Sequence, residues 1–307
     1  MKLLVIGDLH GRKPVIRHKD FDAFVLVGDI CDDRDIAPFY RNFFGLLKEA
    51  GEDEKISFEE FLLGMVQKEG SLEDSEKSSL KKGNEILRYL DTFNKPIFMV
   101  AGNWDQSYGP TRIKDMDNGD YSYLKTFLDW WAGEKLNPEL IKGVKNIKNC
   151  LFKNHEFNGI NIVGYGHSSG PEKLSRKRSS LSLTKSERAK LNITYNKLRN
   201  KLKVAYGKRV HKKFPTLFIT HNVPYDTKLD IIKDKNSYAY KKHAGSTIAR
   251  EFCDTCQPLI CVGGHIHENP GKVKIKNTLA INAGYGARAQ VLIDIDEKKG
   301  RVRGVGF

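Results

Sequence analysis

Short apolar, β-branched runs recur along the chain at wide spacing. They are KLLVIG (2–7), AFVLVG (23–28), PIFMVA (96–101), INIVGYG (160–166), PTLFIT (215–220), PLICVG (258–263), TLAINAG (278–284) and QVLIDID (290–296). Each is bounded by Gly, Pro or polar residues and is too short for a buried helix, so each reads as a strand. Most are nearly continuous in apolar residues, as expected of strands covered on both faces. Helical spacing appears between them, over Phe39–Ala50, Phe58–Lys68, Glu73–Phe93, Tyr121–Ala132, Lys185–Ala205 and Thr247–Cys256. Ser57 with Glu60, and Thr184 with Glu187, match capping boxes. In the fifth helix the apolar positions 191, 195, 198, 202 and 205 form a narrow stripe. That helix is expected to dock on one side and show its charge on the other. Strands alternating with helices, then a strand-rich end, predict an α/β fold with two layers of sheet. No internal repeat is present. Residues 1–307 read as a single domain, with insertions at about 33–94, 106–150 and 172–213.

Composition narrows the class. Hydrophobic residues at 39% supply a sizeable core, and no apolar run approaches the ~18–20 residues of a membrane span. The start, MKLLVIGDLHG, runs from a short apolar stretch straight into Asp and His, which reads as a strand and not a signal peptide. The five cysteines are scattered, and Cys253 and Cys256 form a C-x-x-C with no second pair. Reduced thiols in a cytoplasmic protein are expected, not a structural zinc site. Charge adds a partner class. Lys173 to Lys213 holds fifteen Lys or Arg against Glu187 alone, a surplus equal to the net charge of the whole chain, +14. Nucleic acid or another polyanion is therefore a candidate partner through 173–213, the other reading being a solvated helical face.

The chemistry lies at the ends of the predicted strands. The first is followed by GDLHG (Asp8, His10), the second by GDICD (Asp29, Asp32) and the third by GNWD (Asn103, Asp105). LFIT leads into His221, and LICV into GGHIH (His265, His267). Loops at the carboxyl ends of parallel strands converge, so residues distant in sequence are expected to meet in one crevice. Carboxylate, imidazole and amide oxygen together suit two divalent or trivalent metal ions such as Mn, Fe or Zn. In extended chain the i,i+2 pairs Asp8/His10 and His265/His267 each face one way.

On these residues the chain resembles the calcineurin-like metallophosphoesterase superfamily. Its ordered signature is D-x-H, GD-x-x-D, GN-H-[DE], a lone His after a strand, and GH-x-H. The resemblance spans residues 8–267 and implies a four-layer α/β/β/α sandwich. It also implies a dinuclear centre with Asp8, His10 and His267 on one metal, Asn103, His221 and His265 on the other, and Asp29 bridging. Asp32 would orient the site. The implied activity is hydrolysis of phosphate mono- or diesters by in-line attack of a hydroxide held between the metals.

The departure is Trp104, which stands where the family pattern has a histidine that protonates the leaving group. Asp105, the acid that would hold that histidine, remains. Indole cannot give up a proton at useful pH. His243, next to a predicted helix start at Gly245-Ser246 where a phosphate could bind, and His167, after another strand, are the candidate substitutes. Arg12 is a candidate phosphate contact, and Trp104 itself could stack on a ring or wall the pocket. Nucleotide-type or nucleic-acid diesters rank ahead of monoesters on the basic segment and Trp104. The alternative function is a metal-bearing nucleic-acid-binding or scaffold protein with weak or lost catalysis.

Overall fold

The computed structural model describes residues 1–35, 72–105, 133–168, 170–173, 185–209, 211–237 and 239–307. All eight apolar runs are strands. They are β1 (Lys2–Ile6), β2 (Ala23–Leu26), β3 (Ile97–Met99), β6 (Ile160–Tyr165), β7 (Thr216–Asn222), β8 (Ile260–Gly264), β10 (Thr278–Asn282) and β11 (Gln290–Asp296). Four further strands complete the set: β4 (Ile147–Asn149), β5 (Asn154–Phe157), β9 (Gly271–Ile275) and β12 (Arg301–Gly306). All four lie at sheet edges. Their exposed faces carry charge, as in GKVKI and RVRGVG, so they lack the continuous apolar signal of the buried strands. Helices α1 (Leu72–Asp91), α2 (Lys185–Gly207) and α3 (Thr247–Cys256) match three of the expected six. The other three, both capping boxes and most of the first two insertions fall outside the described residues. The last residues of the 106–150 stretch form β4, which pairs with β3 as part of the sheet.

Two six-stranded mixed sheets result, ordered β12-β11-β1-β2-β3-β4 and β5-β6-β7-β8-β10-β9. Strands β1 to β4 run parallel, as do β6, β7, β8 and β10. Alternation along the second sheet shows how the layers stack. Leu217, Ile219, Ile260 and Val262 face a core shared with β1, β2 and β3. Phe218 and Cys261, between them in sequence, face a second core with α2 and α3. On the outside of the first sheet, α1 contributes Leu80, Leu87 and Leu90. The architecture is thus helix, sheet, sheet, helix.

The stripe on α2 docks as expected. Tyr195, Leu198, Leu202 and Ala205 are buried, while Arg199 and Lys203 reach Glu251 of α3. All five cysteines are free thiols, and Cys253 lies in the α3 core. No helix among the described residues is long and apolar enough to cross a membrane.

Candidate metal centre

The two sheets bring the ends of β1, β2, β3, β7 and β8 to one place. Two groups form there. In each, ligand atoms lie within 4.8 Å of one another: Asp8, His10 and His267 in one, Asp29, His221 and His265 in the other. Asp29 Oδ2 joins them, 3.5 Å from His10 Nε2 and 3.4 Å from His221 Nε2. Asn103 enters the second group, its Oδ1 2.8 Å from His221 Nε2.

The local backbone makes this possible at a cost. His10, Asp29 and His265 all adopt left-handed φ, +46°, +50° and +66°, a conformation that costs a non-glycine residue of order 1–3 kcal/mol and persists where the surroundings enforce it. Here the surroundings are hydrogen bonds: Leu9 and His10 N–H both donate to the Asp29 carbonyl, at 2.9 and 2.8 Å. His265 and His267 face the same site from different groups, His265 in the second, at a left-handed residue, and His267 in the first. Two glycines are required by close approach. A Cβ on Gly102 would lie 2.1 Å from Asp29 Oδ1, and one on Gly264 would lie 2.3 Å from Asp8 Oδ1.

The donor atoms fit metal ions. Asp8 Oδ2 accepts the His265 N–H and sits 3.3 Å from His267 Nε2, yet Asp8 Oδ1 is buried with no hydrogen-bond partner among the described residues. Both ring nitrogens of His10 are buried and equally without one, although Asp33 Oδ2 lies 2.9 Å from Nδ1 as an ion-pair partner. His221 Nδ1 is 2.9 Å from the Val27 carbonyl, which can only accept, so Nδ1 donates there and Nε2 is turned to the Asn103 amide oxygen at 2.8 Å. Carboxylate, amide and imidazole groups converging in a buried site, with Asp8, Asp29 and His221 each held by a backbone group, are what a cation needs.

Without metals the group is electrostatically tense. Burial pushes the Asp29 carboxyl up to about 6, against the pull of His221 and His10. Burial would lower His10, but Asp33, Asp29 and Asp8 outweigh it and raise it to about 9. Burial alone would raise Asp8, and the three surrounding imidazoles bring it below its ordinary value instead.

The other predicted residues take clear places. Asp105 is fully buried and its carboxylate accepts from Ile30 N–H (2.8 Å), Cys31 N–H (3.0 Å) and Gly102 N–H (2.8 Å). It therefore staples the turn bearing Asp29 to the turn bearing Asn103, whatever residue stands at 104. Trp104 donates its backbone N–H to Asp29 Oδ1 at 2.9 Å. Asp32 pairs with Arg34 and Lys82, both at 2.6 Å. Burial would raise its carboxyl, but these two cations hold it well below the usual range. His167 is wholly enclosed, and its backbone N–H donates to the Ala101 carbonyl beside the Asn103 turn. His243 is partly exposed, its Nδ1 2.7 Å from the buried Asp230 Oδ1. The start of α3 is not an open phosphate site. Ser246 caps it, and Glu172 accepts from Thr247 and Ile248 N–H; a carboxylate of the chain itself occupies the helix terminus.

Two residues escaped the sequence reading. Asp33 follows Asp32 directly and differs from it by one position on a turn, which no pattern distinguishes. Tyr285 comes from the turn after β10; its ring stacks on His267 at 4.1 Å and 22°. Arg12 also lies over that ring, its guanidinium 4.7 Å from the Tyr285 ring centre. Its Nη1 is 3.4 Å from the His10 carbonyl.

Two mixed sheets with carboxylate and imidazole groups at their converging strand ends define an α/β metallophosphoesterase sandwich. The chain belongs to the calcineurin-like phosphoesterase family, whose model matches residues 1–269. Members of that family normally use a dinuclear metal site, and the two groups here could bind metals. One solved structure aligns over 99% of this chain and 98% of its own, at 15% identity and a TM-score of 0.57, a likeness in fold. The protein TT1561 of Thermus thermophilus aligns at 13% identity over 99% and 97% of the two chains, with a TM-score of 0.48. A dimetal phosphatase from Danio rerio aligns at 11% identity over 96% and 92%, with a TM-score of 0.42. No curated protein sequence matches this chain.

Proposed function

We propose that the protein is a dinuclear metal-dependent phosphoesterase acting on phosphate mono- or diesters, with nucleotide-type diesters preferred. Asp8, His10 and His267 would hold one ion, Asn103, His221 and His265 the other, with Asp29 shared. The observation that carries this reading is Asp29 Oδ2, placed between His10 and His221 at 3.5 and 3.4 Å. A metal pair bound there supplies Lewis-acid polarisation of the phosphoryl group and a water acidified at neutral pH.

The chain's own residues do the rest. The Val27 carbonyl fixes the ring of His221, Asp33 pairs with His10, and the Trp104 N–H holds Asp29. Arg12, anchored by backbone carbonyls, offers charge to a substrate phosphate. Tyr285, 40% exposed, offers a ring beside it, which favours a substrate carrying a base or aryl group. His243 is the proposed donor to the leaving oxygen. Asp230 holds its Nδ1, and its loop packs on the ligand strand, the Ala244 carbonyl accepting from Asn222 at 2.8 Å. At 26% side-chain exposure His243 can meet substrate, whereas the enclosed His167 cannot.

Metal-loaded protein should hydrolyse bis-p-nitrophenyl phosphate faster than p-nitrophenyl phosphate, read by nitrophenolate release. Turnover of neither ester would sink the reading and leave the alternative, a metal-bearing nucleic-acid-binding protein without catalysis, which Trp104 favours. His243→Ala should lower kcat by about 10²–10⁴ on an alkyl phosphodiester, the usual worth of a positioned acid. It should change nitrophenyl ester turnover little, because that leaving group needs no proton. An equal loss on both substrates removes His243 from this role.

A further inference from the structure

We propose that a basic cleft at the far end of the second sheet binds single-stranded nucleic acid. This site is separate from the metal groups and does not rest on the phosphoesterase reading. Its cleft, of about 420 Å³, is lined by the start of β7 at Thr216, the chain entering β8 at Pro258 and Leu259, and the β11–β12 turn. The metal groups lie at the opposite ends of β7 and β8. Thr216 and His221 are five residues apart on one strand, or about 16 Å at ~3.3 Å per residue.

Five cations converge there: Arg209, Lys212 and Lys213 from the basic segment, and Lys298 and Lys299 from the β11–β12 turn. None has a carboxylate partner within salt-bridge distance among the described residues. Glu297, the acid in the lining, is engaged by the Met1 amino group at 3.3 Å and Arg303 at 3.9 Å. The body of α2 behaves differently. Its Arg199 and Lys203 meet Glu251 at 3.4 Å each, and Lys201 meets Glu134 at 2.5 Å. Three cations of α2 thus meet carboxylates of the chain, whereas those at the end of the basic segment have none among the described residues, and distant lysines reinforce them. Like charges gathered in a concavity repel one another and attract a polyanion.

The walls choose among polyanions. Tyr206 and Phe214 line the cleft, and the Arg209 guanidinium lies 3.2 Å from the Tyr206 ring centre, with its Nε buried and lacking a hydrogen-bond partner among the described residues. Cations along a groove with aromatic and guanidinium faces suit a strand whose bases are free to stack. A duplex and a bilayer surface present no free base to these aromatic and guanidinium faces.

The full-length protein should bind fluorescein-labelled dT20, read by anisotropy between 50 and 200 mM salt. Lys298→Glu with Lys299→Glu, and Lys212→Glu with Lys213→Glu, should each weaken binding at least ~10-fold. Alanine at 298 and 299 should reduce the log–log salt slope by about 1.4, the value for two phosphate contacts on a single strand. Arg199→Ala with Lys203→Ala should leave binding within ~2-fold, because those cations are already paired within the chain. Aryl phosphate turnover should be the same in all variants. The proposal is overturned if the wild type does not bind dT20, or if the 298/299 variants bind like wild type. Binding to phosphatidylserine vesicles without binding to dT20 would equally overturn it, in favour of a membrane surface.

Discussion

Asp29→Asn is expected to abolish phosphoesterase activity, by on the order of 10³-fold or more, and to reduce bound metal from two ions to one or fewer per chain. Among the described residues Asp29 is the carboxylate within reach of both His10 and His221, so its loss removes a ligand from each proposed ion at once. Metal content by elemental analysis, beside turnover of the nitrophenyl diester, checks both. Retention of two ions would remove Asp29 from the bridging role. The same substitution should not lower the stability of the metal-free protein. Burial raises the Asp29 carboxyl to about 6, so its folded form prefers the proton. A raised pKa gives stability that is present below the unfolded value near 4 and is lost as pH climbs through about 6. His10, raised to about 9, adds stability present below its unfolded value near 6.5 and lost through about 9, the same direction. Metal-free wild type should therefore melt at progressively lower temperature from about pH 4 to pH 9, and metal should restore most at the alkaline end. The Asn variant keeps an acceptor for the Trp104 N–H and lacks the carboxylate, so it should lose less stability over the acidic part of that range.

Asp105→Ala should destabilise the fold by about 3–9 kcal/mol. Its carboxylate accepts three N–H groups, from Ile30, Cys31 and Gly102, in a fully buried setting. Truncation orphans all three, and each buried orphan costs about 1–3 kcal/mol. Urea unfolding of the metal-free protein reads the loss without interference from metal binding. The sequence pattern alone suggested a different role, an acid left behind by the histidine missing at position 104. A loss below about 1 kcal/mol, less than one orphaned group costs, would support that role and contradict the staple. Asp105→Asn should fall between, since one amide oxygen can still accept from part of the set.

Much of the frame was legible in the chain. Eight central strands announced themselves because both their faces are covered, which forces continuous apolar runs. Strands β4, β5, β9 and β12 did not, because an edge strand needs apolar residues on one face only and is polar on the other. The helix α2 was legible in its register as well as its place, since docking one side demands the stripe at 195, 198, 202 and 205. Asp8, His10, Asp29, Asn103, His221, His265 and His267 were nominated from strand-end turns and family resemblance. The structure brings their donor atoms together. Asp33 and Tyr285 were not legible, for neither lies in a spacing pattern. Each matters through what it touches, His10 for one and His267 with Arg12 for the other.

The division has a physical basis. The sequence by itself determined the layers, because hydrophobic periodicity follows from which faces are buried, and it determined the order of chemically apt turns along the chain. Only the tertiary structure decided which turn faces which. It gave His10, Asp29 and His265 their left-handed backbone, and put Glu172 on the helix end that looked open. It likewise gave Asp105 three backbone partners and brought Lys298 and Lys299 to the end of a basic segment far away in sequence. Contacts of that kind depend on where two backbones meet in space, and nothing in local propensity or spacing encodes it.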